Sequence, residues 1–433
     1  MTRFSSQHPT GIAVQELETL LRTALFKPAN ELVGLLLQQA ADQIDATYQP
    51  KPGQHQKGRE ELEVQGMFGR FVLQRDYYYD PAKKQGHFPT DAALGLELSY
   101  TPALAQLVCL EGADESSFQK AEEHLRETGG IELSGRQIQR VVQRVGPAAQ
   151  QWQDRKVPPE ACDASVMYVS VDGTGVPMRK KELTGRKGKQ PDGTAKSRQA
   201  YLGCVFTQHK CDEKGHPIRD HDSTTYVSSF DTSEKFGLRL CEEAKRRGCG
   251  SAQKIVLLMD GALGLKNLGR LNFHGSEQIV DFYHAMEHLD DLLKALWGKD
   301  HTDFKKQYGR WTKLLLKDGV EKIIAQAREW SVGHACEAVV EKQLHYFNTN
   351  VTRMQYGTFR KLGYFIGSGV IEAGCKTVIG SRCKQSGMFW SKPGAENILA
   401  LRCVKMSRQW KDFWKARANE HAARNDALPL AAA

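Results

Sequence analysis

The chain lacks any apolar run of about 18 residues, so nothing in it reads as a membrane span. It also lacks a CxxC pair, its ten cysteines being scattered along 433 residues. That spacing excludes a zinc ribbon and favours reduced cytosolic thiols over a disulfide framework. The first 30 residues mix charges with leucines and have no continuous apolar core of the signal-peptide kind. The 39 glycines and 15 prolines follow no collagen-like period, and a 40% apolar content is too high for a disordered chain. What remains is a soluble cytoplasmic protein of two to four domains, at roughly 100–200 residues each.

Positive charge is present in modest excess but unevenly. The net charge is +9, from 60 Lys+Arg against 51 Asp+Glu. Residues Val351 to Glu420 alone hold 13 Lys/Arg and four Asp/Glu, and Arg179 to Arg198 hold eight against Glu182 and Asp192. Phe389, Trp390, Trp410, Phe413 and Trp414 interleave with the first stretch. Clustered cations with aromatics suit a polyanion partner, although a solvated surface shares the composition.

The pattern divides the chain into segments. Residues 1–50 read as two amphipathic helices separated by Pro28, and Tyr48 to Gly58 as a linker. Within 51–150, strands are expected at Leu62–Val64 and Arg70–Tyr79. A helix pair follows over 117–145, with a Gly129-Gly130 turn and Ser134 as the cap of the second helix. That second helix turns Ile138, Val141, Val142 and Val145 inward and Arg136, Gln137, Gln139, Arg140, Gln143 and Arg144 outward. This is the form of a DNA-binding helix-turn-helix, although any helical hairpin shares it. Pro147 and Pro158-Pro159 mark a boundary near 150. From 160 to 283 come strands at Met167–Asp172, Ala200–Thr207 and Thr224–Ser229, a helix at Ser233–Arg247, then strands at Lys254–Asp260 and Gln278–Phe282. Residues 284–350 read as helices only, 351–420 as the return of the core with a basic tail, and 421–433 as disordered. The fold class is α/β: a mixed sheet with an all-α insertion, preceded by a mostly helical region.

Three carboxylates stand out. Val171-Asp172-Gly173 and Met259-Asp260-Gly261 each end an apolar strand with an acid, which is costly unless the acid is paired or binds a metal. If the two strands are parallel neighbours, both acids project at the edge where open α/β sheets bind ligands. Glu372, in Gly367-Ser-Gly-Val-Ile-Glu-Ala-Gly-Cys-Lys376, lies in the first turn of a helix. Two Asp and one Glu form a hard-oxygen set suited to Mg²⁺ or Mn²⁺.

The blocks Val169-Ser-Val-Asp-Gly-Thr-Gly-Val-Pro177, Asp281-Phe-Tyr-His284 and Ile366-Gly-Ser-Gly-Val-Ile-Glu-Ala-Gly-Cys-Lys376 resemble bacterial insertion-sequence transposases of the Kra type, within the Mutator-like DDE superfamily. Arg382-Cys-Lys-Gln-Ser-Gly-Met388 and Asp192-Gly-Thr-Ala-Lys196 extend the likeness. The resemblance implies an RNase H-like core, a catalytic triad of Asp172, Asp260 and Glu372 holding two Mg²⁺ (or Mn²⁺), and a supporting Asp281–His284 pair. It implies Mg²⁺-dependent strand cleavage and strand transfer on double-stranded DNA, at terminal inverted repeats and target, by a homodimer or higher oligomer associated with the nucleoid. The DNA contacts expected are Arg136, Gln137, Arg140 and Arg144 for recognition, with Lys187, Lys189, Lys196, Lys376, Arg382 and Lys384 on the backbone. Two alternatives remain open: a degenerate, non-catalytic DNA-binding protein, and a zinc peptidase read from His284-Ala-Met-Glu287-His288.

Overall fold

The computed structural model describes residues 11–155, 160–188, 190 and 193–426. Pro158, Pro159, Lys189 and Asp192 lie outside the described residues. The chain forms two compact units, Met1–Ala148 with Gln409–Ala433, and Ala149–Arg408.

The first unit opens with a single helix, α1 (Gly11–Thr47), not the expected pair: Pro28 lies inside it. Proline's fixed φ is helical and it forfeits only one backbone bond, so a long helix can run through it. Leu20, Leu21 and Leu25 are exposed, while Gly34 lets the helix approach the Phe71 side chain closely. The segment expected as a linker, Tyr48 to Gly58, is irregular up to Gln54, and its last four residues begin a strand. β1 (His55–Gln65) and β2 (Arg70–Asp80) form a long antiparallel hairpin, extended by β3 (Gln85–His87). Helices α2 (Pro89–Ala93), α3 (Pro102–Asp114) and α4 (Phe118–His124) follow. A π-helical turn over Leu125–Gly129 ends at Gly130, whose φ of 65° is the left-handed stop that glycine supplies. Helix α5 (Gly135–Gln153) then begins behind a capping box: the Gln137 side chain accepts from the Ser134 N–H at 2.9 Å. The carboxyl-terminal helix, Trp410–Asp426, belongs to this unit, so residues 421–426 are helical where disorder was expected.

The second unit is built on a five-stranded mixed sheet. Its strands are β4 (Val166–Pro177), β5 (Ser197–Gln208), β8 (Thr225–Ser229), β9 (Ile255–Met259) and β10 (Glu277–Val280), with a small hairpin of β6 (Lys210–Cys211) and β7 (Pro217–Ile218) beside them. The order is β10-β9-β4-β5-β8. β4, β5 and β8 are antiparallel neighbours, and β9 and β10 are added parallel to β4.

Alternation along the strands sorts the two faces. Met167, Val169 and Val171 of β4 and Leu257 and Met259 of β9 pack on Phe236 and Leu240 of α6 (Ser233–Arg246) and Leu265 and Leu268 of α7 (Leu263–Asn272). Positions of opposite parity, Tyr168, Ser170 and Asp172 and then Val256, Leu258 and Asp260, face the other side.

After β10 come α8 (Phe282–Trp297), α9 (Phe304–Leu315), α10 (Val320–Ser331) and α11 (Glu337–Asn350), a helical block around buried Leu289, Trp311, Ile323, Leu344 and Phe347. The chain returns through α12 (Tyr356–Lys361), where the Tyr356 hydroxyl donates to the Val280 carbonyl at 3.0 Å. Helix α13 (Gly369–Gly374) then crosses over β4 and β5. It continues through a π-helical stretch, Cys375–Gly380, into α14 (Ser381–Cys383), and α15 (Lys392–Met406) covers β8. No helix among the described residues is long and apolar enough to cross a membrane.

Candidate active site

The parallel register pairs Val171 with Met259, so Asp172 and Asp260 are the next residue on each of two adjacent strands. Both fall on the sheet face that α13 covers. Asp172 accepts from the Gly173 N–H at 2.6 Å, and Asp260 from the Ala262 N–H at 2.7 Å. The thiol of Cys375, one turn beyond Glu372, lies against Asp172; burial first, and then the Asp172 carboxylate, push that thiol well up. Helix α13 therefore carries Glu372 over the middle of β4: contrary to the expectation that Asp172 ends its strand, β4 runs on to Pro177 because Gly173–Pro177 stay paired with β5, and only Asp260 follows the end of its strand. None of the three carboxylates forms an ion pair among the described residues, although all are partly buried.

Asp281 organises the other side. It caps α8, accepting from the His284 backbone N–H at 2.7 Å, and the His284 Nδ1 lies 3.0 Å from the same oxygen. Its second oxygen accepts from the Ser368 N–H, and the Ser368 hydroxyl donates to Glu372 at 2.8 Å. Burial works to raise the Asp281 pKa, but the donors from His284 and Ser368 outweigh it and hold the carboxyl below its ordinary range. His284 is raised to about 9, first by its hydrogen bond to Asp281 and further by the charges of Asp281, Glu287 and Asp260. Asp281, His284 and Glu372 each bring a ligand atom within 4.8 Å of the others. Asp172 and Asp260 stand outside that closest group.

Two glycines permit this approach. A Cβ on Gly367 would lie 2.9 Å from the Tyr283 ring, and one on Gly261 would overlap the Tyr346 ring. Behind Asp260, Arg353 is buried and donates to Asn350 at 2.8 Å, while its Nε and Nη2 have no protein acceptor. The peptidase pattern does not assemble: His288 stacks on Tyr346 with ring centroids 3.5 Å apart, and no three-ligand group forms on His284, Glu287 and His288 among the described residues.

The expected DNA contacts divide. Arg136, Arg140 and Arg144 are exposed on α5, with Arg144 3.7 Å from Glu97. Gln137 is not available for base reading, because its carbonyl oxygen caps α5 and its amide donates to the Tyr100 hydroxyl at 3.3 Å. Lys187, Lys196, Lys376 and Lys384 are exposed, the last reaching the Thr174 hydroxyl, while Lys189 is outside the described residues. Arg382 is a correction: it is 0% exposed, its guanidinium 5.1 Å from the centre of the Trp390 ring, where no DNA can reach it. Trp390, Phe413 and Trp414 are likewise buried, leaving Phe389 as the exposed ring of that stretch.

Sequence reading passed over Ser368 and Cys375, yet both had a signal: they stand at i−4 and i+3 from Glu372 and so share its helix face. Arg353 and Asn350 had none, because only the fold brings them near Asp260.

The model of an uncharacterised protein family, UPF0236, matches residues 8–189. Among solved structures the chain is similar to the Drosophila P element transposase strand transfer complex, with 11% identity and a TM-score of 0.25, covering 74% of this chain and 80% of that one. No curated protein matches the chain.

Proposed function

We propose that the second unit is the catalytic domain of a DDE transposase with an RNase H-like core, cleaving and joining DNA strands at the ends of an insertion sequence. The observation that carries this reading is that Asp172 and Asp260 stand side by side on adjacent strands, on the sheet face over which α13 carries Glu372, with no Lys or Arg paired to any of the three among the described residues. Unpaired, partly buried carboxylates are costly, and a hard divalent cation removes the cost. The helical block between Asp260 and Glu372 fits the all-α insertion that the sequence blocks imply. The π-helical stretch beginning at Cys375 supports it too, since such irregularities recur at functional sites.

The three carboxylates fit Mg²⁺ or Mn²⁺: all donors are oxygens, and Asp172, Asp260 and Glu372 would hold the ions. Bound there, the ions would stabilise charge on the attacking and leaving oxygens of an in-line displacement at phosphorus. The protein's own groups do the rest. Asp281 holds His284 as an imidazolium, a fixed positive charge facing the edge where a phosphate would lie. Through Ser368 the same aspartate fixes the direction of Glu372. The exposed arginines of α5 are proposed to recognise the element ends, and Lys187, Lys196, Lys376 and Lys384 to hold the backbone.

The test is an incubation of full-length protein with Mg²⁺ and labelled duplex carrying the sequences that flank its gene. Asp172→Asn, Asp260→Asn and Glu372→Gln should each abolish strand cleavage while end binding persists. His284→Ala should retain a residue of activity, lowered by about 10²-fold. Normal cleavage by any one carboxylate variant removes that residue from the site. Wild-type protein that binds ends but never cleaves is instead a non-catalytic DNA-binding protein.

A further inference from the structure

We infer that a cavity beyond the end of β4 binds an unpaired nucleotide of single-stranded DNA, stacked on Phe389. The cavity measures about 930 Å³. Met178 and Leu183 line it, and Phe389 stands at its side, 59% exposed and in contact with no other ring among the described residues. Arg179, Lys180, Arg186 and Lys196 also line it, and none of them has a carboxylate partner among the described residues.

The chemistry of the walls selects the ligand. An apolar floor gives a polyanion alone nothing to bind, and four unpaired cations oppose a neutral apolar guest. An unpaired nucleotide has both parts: a base with two apolar π-faces, and phosphates. In duplex DNA those faces are covered by neighbouring bases, so the ring can be used only where a base is out of the stack.

The platform is held in place. Phe389 precedes Trp390, whose N–H donates to the Pro177 carbonyl at 3.1 Å and whose carbonyl accepts from the Arg179 N–H at 2.9 Å. Buried Trp390 thus pins the exposed ring beside the strand end, and a fixed ring loses little entropy on stacking. A second cavity, of about 380 Å³, shares Arg186 and adds Arg198, Lys235 and Lys392 around one acid, Asp231. The two together make a cationic track that a flexible strand can follow. Met178 follows the end of β4 and lies six positions beyond Asp172, about 20 Å at strand spacing. A strand held at the cavity is therefore within reach of the carboxylates.

The inference rests on the nucleic-acid reading proposed above but not on cleavage. It is tested by fluorescence anisotropy of full-length protein in EDTA, with a labelled oligothymidine, a duplex of equal length and an oligouridine. Phe389→Ala should weaken oligothymidine binding by about 10-fold, in the range of one lost base–aromatic stack. Duplex binding should stay within about two-fold, and Phe389→Trp should restore the loss. Arg186→Ala should lower the slope of log affinity against log salt by about 0.7 for the single strand. Equal effects of Phe389→Ala on single strand and duplex, or none on either, overturn the inference. Binding of oligouridine more than about 10-fold tighter than oligothymidine overturns the assignment to DNA. If Phe389-dependent binding is found with no Mg²⁺-dependent cleavage of any substrate, the catalytic reading falls and this one stands. Cleavage sensitive to Asp172→Asn, with single-strand binding indifferent to Phe389, sinks this one alone.

Discussion

Replacing Asp281 by alanine should destabilise the second unit, and by an amount that depends on pH. The carboxylate is 0% exposed and accepts from three donors: the Ser368 N–H, the His284 N–H and the His284 imidazolium. Removing it leaves the buried Ser368 N–H without an acceptor, at about 1–3 kcal/mol. It also removes the cap of α8, at about 1 kcal/mol. The imidazolium contributes separately. Raising a histidine from 6.5 to about 9 corresponds to roughly 3 kcal/mol before screening. His284 is 36% exposed, so about 1–2 kcal/mol is the reasonable share. The sign follows from the raised pKa: this stabilisation is complete below the unfolded value of about 6.5 and is lost as pH rises through about 9. Asp281→Ala should therefore cost about 3–6 kcal/mol at pH 6, and about 1–2 kcal/mol less at pH 10, where the histidine is neutral in both proteins. Urea unfolding of wild type and variant in EDTA at the two pH values measures both quantities. A loss under about 1 kcal/mol at pH 6, or the same loss at both pH values, would refute the account of Asp281 as a buried, charge-bearing cap.

Gly261→Ala should lower the thermal midpoint, because the added methyl overlaps the Tyr346 ring; the cost should be about 1–3 kcal/mol. A Tyr346→Leu background should relieve it, and additivity in that double-mutant cycle would refute the contact. Arg382→Met should alter stability but leave the salt dependence of DNA binding unchanged, since burial under Trp390 keeps the side chain from any phosphate. Lys196→Ala should instead lower the slope on duplex DNA by about 0.9 for the lost contact, and the opposite pattern would reverse the two assignments. His209, held by Asp163 and then Asp220, titrates above an ordinary histidine. Its charge stabilises the fold at low pH, and the effect fades as pH rises through the folded value. Asp163→Asn should bring its NMR titration down, and an unmoved midpoint would exclude the pairing.

The sheet of the second unit was legible because its strands carry strong local signals. The alternating segment Val166–Val171, the continuous apolar run Ile255–Met259 and the charged amphipathic helix at 233–246 each carry a distinct local pattern. The order of elements could be read from these alone. The first unit was harder. Pro28 breaks a sequence pattern without breaking the helix, whose buried positions, Gly34 and Ala41, come after it, and the polar residues His55–Glu61 form a strand because β2 offers them a ladder to pair with. Propensity is silent about both, since each is decided by a partner distant in sequence.

The same limit explains why the basic stretch misled and where it did not. Composition counts guanidinium groups, but burial decides what they do. In Val351 to Glu420, Arg353, Arg382 and Arg402 are buried. Arg402 is spent on backbone carbonyls and a hydroxyl of the Cys375–Gly380 turn and its flanks, including Val378 at 2.6 Å. Arg417 is tied to the buried Glu97, its Nε 2.7 Å from the carboxylate. Three cations of that run are thus internal, while Arg360, Lys361, Lys376, Lys384, Arg408, Lys411 and Lys415 remain exposed. The stretch from Arg179 to Arg198 has glycines and lysines in place of apolar residues at helical spacing, so it has no core in which to bury its cations. Its Arg179, Lys180, Arg186, Lys187 and Lys196 are accordingly exposed. Charge interleaved with an apolar period predicts scaffolding, whereas charge without one predicts a surface free to meet phosphate.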